Sequence, residues 1–163
     1  MPHRTICTAL LVVFTAAALS VGAAADGPIP YPTGFRDWAV VKSVLIQSGN
    51  PSFATEGGIH HIYANPAALA GYRSGSYADG ATIVYELVET HETNHAITEG
   101  ARLRVDVMVR DSKRFASSGG WGFERFKHGN EQERAVGDKT EEMCFGCHRK
   151  QEAKSFVFSV VRE

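Results

Sequence analysis

The sequence predicts a mainly β member of the α+β class: an antiparallel sheet with a few short helices and a cysteine-histidine motif near the C-terminus. Three observations carry this. Two runs alternate with period two: residues 81–88 (Ala-Thr-Ile-Val-Tyr-Glu-Leu-Val), and residues 103–109, where Leu103, Val105, Val107 and Val109 are interleaved with Arg104 and Asp106. Glycine-containing pairs, Gly57-Gly58, Asp79-Gly80, Gly119-Gly120 and Gly129-Asn130, punctuate the apolar runs as turns do. Helical periodicity is weak by comparison.

The elements follow in chain order. Residues 26–34 are an extended, proline-rich lead-in, and 38–46 form a Val/Ile/Leu-rich strand. A second short strand covers 59–64. Asn65 caps a helix with Pro66 at its first position, running through Ala67–Tyr72 to a stop at Gly75. The strands 81–88 and 103–109 come next. Asp111 or Ser112 opens a turn through Lys113–Phe115, and Trp121–Phe126 adds a further strand. Residues 127–140 are polar and make a loop or a short exposed helix. A short helix should surround Glu141–His148, and Ser155–Val161 should form a last strand.

The N-terminus has the layout of a secretory leader. Arg4 supplies a positive start, Ile6 to Val21 is an apolar stretch, and Ala23-Ala24-Ala25 is an A-x-A cleavage site ahead of Asp26. The expected division is a signal peptide over 1–25, cleaved after Ala25, and one domain over 26–163, exported to the periplasm with no membrane span after processing. The mature chain carries 16 basic and 18 acidic residues, a formal charge of −2, and so no electrostatic case for binding nucleic acid. Cys7 leaves with the leader. Cys144 and Cys147 remain, both inside one motif, so no disulfide framework is expected.

That motif is Cys144-Phe145-Gly146-Cys147-His148. C-x-x-C-H is the pattern for covalent attachment of haem c: the two thiols become thioethers, and the following histidine ligates the iron from the proximal side. A thioredoxin-type pair should sit beside a βαβ pattern, which does not precede residue 144. A zinc site would need further ligands at compact spacing, and no cysteine follows. One covalent haem c is therefore the expected cofactor, with His148 as the iron ligand. Met143 adjoins the motif and belongs to the proximal side. Met108 lies on an alternating strand and reads as a core filler, while His91, His95 and His128 lie in polar stretches. An open sixth position on the iron is the expectation, and it suggests small-ligand chemistry.

A β-rich exported chain with one such motif near its C-terminus resembles the cytochrome P-460 family, which includes the cytochromes c′-beta. The likeness runs through Phe35-Arg36-Asp37-Trp38, Ile62-Tyr63-Ala64-Asn65-Pro66, Tyr77-Ala78-Asp79-Gly80 followed by Glu86-Leu87-Val88, then Asp111-Ser112-Lys113-Arg114-Phe115-Ala116 and Gly120-Trp121-Gly122-Phe123. The ordered set, not any single piece, is what is distinctive.

The resemblance implies a five-coordinate haem on an antiparallel sheet, usually in a homodimer, that binds nitric oxide or oxidises hydroxylamine and nitric oxide. It implies small gaseous or nitrogen-oxide ligands, with a soluble redox cytochrome as a candidate partner. It also implies a lysine cross-linked to the haem in the strand just before Glu-Leu-Val. Here that position is Tyr85, and Lys42, Lys113, Lys127, Lys139, Lys150 and Lys154 all lie elsewhere. Tyr85 then reads as an uncross-linked residue beside the haem, or as a core tyrosine with a bonded hydroxyl. By the same likeness His60 falls where relatives carry a distal basic residue and Asp106 where they carry a proton-moving carboxylate; these are the candidate catalytic residues. His60 and His61 should point to opposite faces of their strand, and Asp106 could equally be a surface ion-pair partner. Nitric oxide capture, hydroxylamine oxidation and plain electron transfer remain as functions.

Overall fold

The computed structural model describes residues 27–161; the leader and its cleavage site lie outside the described residues. Five strands form one sheet in sequence order: β1 (Ala39–Ile46), β2 (Gly58–Ala64), β3 (Thr82–Thr93), β4 (Ala96–Arg110) and β5 (Trp121–Lys127). Every neighbouring pair is antiparallel, so the sheet is a simple meander with β3 at its centre. Two helices interrupt it, α1 (Phe53–Glu56) between β1 and β2, and α2 (Pro66–Ser74) between β2 and β3. After β5 a polar loop leads to a helical stretch over Glu141–Phe145, Gly146–His148 and Arg149–Lys154. The mainly β architecture is the one the alternation predicts.

Both faces of the sheet are covered, because alternation puts apolar groups on each side. On one face Ile83, Met108, Trp121 and Phe123 pack with Ala64, Ala68, Phe145 and Val157, so α2 and the C-terminal segment form the cover. On the other, Val84, Val105, Val107 and Phe126 pack with Ile29, Phe35 and Tyr63, so the proline-rich lead-in is the cover. Glu86 is fully buried on this second face. Its carboxylate accepts from Arg36 (2.7 Å) and Arg102 (2.5 Å), and from the Tyr63 hydroxyl at 3.3 Å. Buried without those cations it would be costly; with them it pins the lead-in to the sheet.

Arg102 reaches Glu86 because of a bulge. Leu87 pairs with Arg104, but Val88 pairs with Arg102, so one extra residue stands in β4 at Leu103. The bulge switches the side of the sheet between the two arginines. Arg102 serves the lead-in face and Arg104 the opposite one.

The helix predicted from Asn65 is present. Asn65 Oδ1 accepts from Ala68 N (2.8 Å) and Thr82 N (3.0 Å), so one side chain caps α2 and ties it to β3. Gly75 ends α2 at φ 78°, a left-handed conformation that suits glycine. Inside α2, a Cβ on Gly71 would lie 2.2 Å from the Tyr77 ring, so the helix lies closer to that ring than any side chain allows. Tyr77 stacks edge-on with Tyr72 and Trp121, and the Trp121 indole donates to the Ser155 carbonyl at 3.0 Å.

Three expectations need correction. Residues 155–161 form no strand: Ser155 and Phe156 have φ of 54° and 67°, which reverses the chain instead of extending it. The strands expected at 81–88 and 103–109 extend into an exposed ribbon, pairing Thr90 with Glu99 and His91 with Thr98 around a turn at Asn94-His95. Polar residues hide that ribbon from a hydrophobic pattern, but strand pairing alone sustains it. The four-residue helix α1 was not anticipated.

All five tyrosines are held above the ordinary phenol value, with burial the largest cause at each; Tyr72 is pushed up to about 12. Unfolded phenols ionise near about pH 10. This contribution is therefore complete below that pH and is lost as pH rises above it, because the unfolded chain releases protons first. An alkaline absorbance titration should show little phenolate until the protein unfolds above about pH 10; a normal five-tyrosine transition with the fold intact would contradict this packing.

Candidate functional site

The C-terminal helical stretch presents the motif. Phe145, Gly146 and His148 have right-handed helical angles, so Cys144 and Cys147, three apart, share one side of a turn. The π-type winding over Glu141–Phe145 inserts an extra residue just ahead of that turn. Neither cysteine is in a disulfide; Cys147 is exposed and Cys144 half-buried. Burial pushes the Cys144 thiol up to about 11, with Asp106 adding to the effect.

His148 is oriented by the chain reversal at Ser155-Phe156. Its Nδ1 lies 2.7 Å from the Phe156 carbonyl oxygen. A carbonyl only accepts, so Nδ1 carries the hydrogen and the neutral ring keeps a lone pair on Nε2. Burial lowers its pKa from the ordinary value, which favours that neutral form. Phe123 (4.9 Å between ring centres) and Phe158 (5.0 Å) hold the ring in place. A histidine fixed at Nδ1 with Nε2 available is the arrangement an axial metal ligand requires.

Phe123 belongs to the sheet face that the C-terminal segment covers, and a polar cluster lies on that same face. Strand register sets Ile62, Tyr85, Asp106 and Arg125 side by side across β2, β3, β4 and β5. The adjacent row holds His60, Leu87 and Arg104. Both Asp106 oxygens are occupied: Oδ1 accepts from Arg125 Nε (2.7 Å), and Oδ2 from Arg125 Nη2 (2.7 Å) and Arg104 Nε (3.0 Å). Arg104 also donates to Glu56 Oε2 at 2.6 Å, and its guanidinium lies over the Tyr85 ring at 5.5 Å. The Tyr85 hydroxyl is 2.6 Å from Glu56 Oε2 and contacts His60 Nδ1. His60 Nε2 donates to the Glu56 carbonyl.

The expected site residues thus fall into two groups on one side of the sheet. Cys144, Cys147 and His148 stand on the covering segment, while Tyr85, His60 and Asp106 stand on the sheet itself. The field of Asp106 reaches both Cys144 and His148. The Tyr85 hydroxyl joins a histidine and a carboxylate, the bonded hydroxyl that either reading of this residue allows. His61 points to the opposite face, where it bonds Ser43 (2.9 Å) and Glu99 (2.6 Å). Met108 is a core residue, and His91, His95 and His128 are exposed.

Three members were not anticipated. Arg104 and Arg125 could have been found, since one shares Asp106's alternation and the other faces it across β5. Glu56 comes from α1, which has no sequence signal of its own. Among the described residues no group of three or more His, Cys, Asp or Glu side chains is placed to hold a metal ion, so the two thiols lack the companions a zinc site needs. The motif residues fit a haem: two thiols on one turn, and a neutral imidazole aimed by a carbonyl.

A family model described as Cytochrome P460 matches residues 32–159. No curated protein matches the chain.

Removing the charge that gathers the two arginines should loosen this face. Asp106→Asn should cost about 1–3 kcal/mol in denaturant unfolding, and no loss of stability would mean that the Arg104–Asp106–Arg125 pairing is incidental.

Proposed function

The chain belongs to the cytochrome P460 family, which makes haem its implied cofactor, and from that premise we propose a periplasmic mono-haem c protein whose open iron binds or converts nitric oxide and related small nitrogen ligands. When bound, the haem would supply a redox-active iron able to take a small ligand. Cys144 and Cys147 would hold it as thioethers and His148 Nε2 would be the proximal ligand. The observation that carries this reading is the His148 Nδ1 bond to Phe156 O, which commits one ring nitrogen and reserves the other.

The remaining residues support an open distal side. His60 lies on the covered sheet face, but both its ring nitrogens are engaged, by the Glu56 carbonyl and the Tyr85 hydroxyl. It is therefore not a free ligand for the iron. Met108 is packed between Ile83 and Phe123 across the strands. Tyr85 carries a neutral phenol, since burial and Glu56 hold its pKa far above the ordinary value. Its hydroxyl is committed to Glu56 and His60, so it would present a neutral, bulky side chain to a small ligand.

Hydroxylamine oxidation is the second reading, favoured by His60 and a carboxylate standing on one sheet face. Against it, both Asp106 oxygens already accept N–H groups from Arg104 and Arg125. Export and removal of residues 1–25 remain part of the proposal, as does a homodimer. Among the described residues no helix is long and apolar enough to cross a membrane.

Anaerobic titration of the reduced protein with nitric oxide and with carbon monoxide tests the reading. One equivalent of each should bind per chain. Binding of neither would show a closed iron and favour an electron carrier.

A further inference from the structure

The lead-in face of the sheet carries a second polar group, separate from the haem reading. Ser43 on β1 stands directly opposite His61 on β2 in the strand register, so both side chains leave the sheet on one side. Ser43 Oγ lies 2.9 Å from His61 Nδ1. His61 Nε2 lies 2.6 Å from Glu99 Oε1, which arrives from the ribbon end of β4. A carboxylate accepts only, so Nε2 carries the hydrogen of the neutral ring, and Nδ1 turns its lone pair to the Ser43 hydroxyl. A serine whose proton faces the free nitrogen of an imidazole, itself held by a carboxylate, is the arrangement that activates a weak nucleophile.

We propose that Ser43, His61 and Glu99 form an acyl-transfer site whose substrates are small activated esters, such as aryl acetates. Ser43 is the nucleophile, His61 the general base and Glu99 a positioning residue. Ser43 Oγ attacks the ester carbonyl carbon, and its proton passes to His61 Nδ1. The bond from that carbon to the alcohol oxygen then breaks, and the alcohol leaves with the proton. Water next adds to acyl-Ser43, giving a proton to Nδ1, and the carboxylic acid departs as Ser43 Oγ takes that proton back. No electrons are transferred, and water is the only co-reactant. The site does not depend on how the iron is ligated.

The surroundings suit the role. Ser43 is exposed, whereas the His61 side chain is only 16% exposed, so the hydroxyl is reachable while the ring is shielded. β1 is the edge strand of the sheet, with β2 on one side and no strand on the other. The Tyr63 ring packs beside His61 at 6.2 Å between centres. Half-exposed Arg36, bonded to Glu86 on this face, lies within the field of Glu99. A cation on this face favours the negative oxygen that forms as Ser43 attacks. A histidine that only tied the ribbon to the sheet would need one bonded nitrogen; here the second is turned to an exposed hydroxyl. The open setting offers an ester little binding surface, so a good leaving group defines the substrate class.

The test treats the holoprotein at about pH 8, above the ordinary histidine value, with para-nitrophenyl acetate and, separately, with an alkyl fluorophosphonate. Peptide mass spectrometry locates and times the adducts. With the second probe the serine oxygen displaces fluoride from phosphorus, so the label persists and reports the activated hydroxyl directly. Both probes should modify Ser43, one adduct per chain, and Ser43→Ala should abolish that adduct. His61→Asn should slow labelling of Ser43 by about a hundredfold. Glu99→Gln, at a half-exposed position, should slow it as well, and Glu99→Asp should recover part of the rate, which a merely structural tie would not do. Circular dichroism of each variant reports the fold separately. An unmodified Ser43, a Ser43 modified as fast in His61→Asn as in the unaltered chain, or a rate indifferent to Glu99→Gln would each overturn the proposal.

Discussion

The register of the central strand governs everything else. Tyr85 and Glu86 are neighbours on β3 and serve opposite faces of the sheet. Glu86 enters a closed setting of Arg36, Arg102 and Tyr63 under the N-terminal lead-in. Tyr85 enters the polar cluster under the C-terminal segment. A slip of one residue would exchange them. It would strip a buried carboxylate of its cations and bring it to the side of the C-terminal segment, at a cost of several kcal/mol. The lead-in, far from the motif in sequence, thereby fixes which groups face the motif.

The bulge at Leu103 completes this division of labour. Without it Arg102 and Arg104 would point the same way and one carboxylate would lose its partner. With it, each arginine meets an acid on its own side: Arg102 meets Glu86, and Arg104 meets Glu56 and Asp106. On the side of the C-terminal segment two arginines then stand against two carboxylates. The face is polar without a large net charge. The C-terminal segment lies over it through Phe123, Phe145 and Val157, and is tied down by the Trp121 indole and the Tyr72 hydroxyl, the latter 2.6 Å from Ser159 Oγ. His148 is thus held from several sides before any cofactor contributes.

Much of this was legible in the sequence, for identifiable reasons. Strands that bury one face carry alternation, so β3 and β4 were found, as was α2 with its Asn65-Pro66 start. The C-x-x-C-H spacing stood out in the sequence, and the structure places its two thiols on one helical turn. The opposed directions of His60 and His61 followed from the pleat alone. What escaped has causes too. The β3–β4 ribbon beyond Glu89 is exposed and polar, so hydrophobicity could not report it. A bulge is one residue in one strand, and nothing in Leu103 announces it. Residues 155–161 have strand-like composition, yet left-handed angles at Ser155 and Phe156 turn them toward His148 instead. Glu56 lies on a single turn of helix whose place beside Tyr85 is set by tertiary packing.

The central proposal is geometric: the haem would lie between the C-terminal segment and the sheet face bearing Tyr85, Met108 and Phe123. Paramagnetic NMR measures this most directly, by comparing backbone shifts of the oxidised protein with those of the diamagnetic reduced form. The largest shifts and broadening should centre on Tyr85, Asp106 and Phe123, with Val84, Glu86 and Phe126 behind the sheet far less affected. Shifts centred on those lead-in-side residues, or confined to residues near the motif with Tyr85 untouched, would contradict the account.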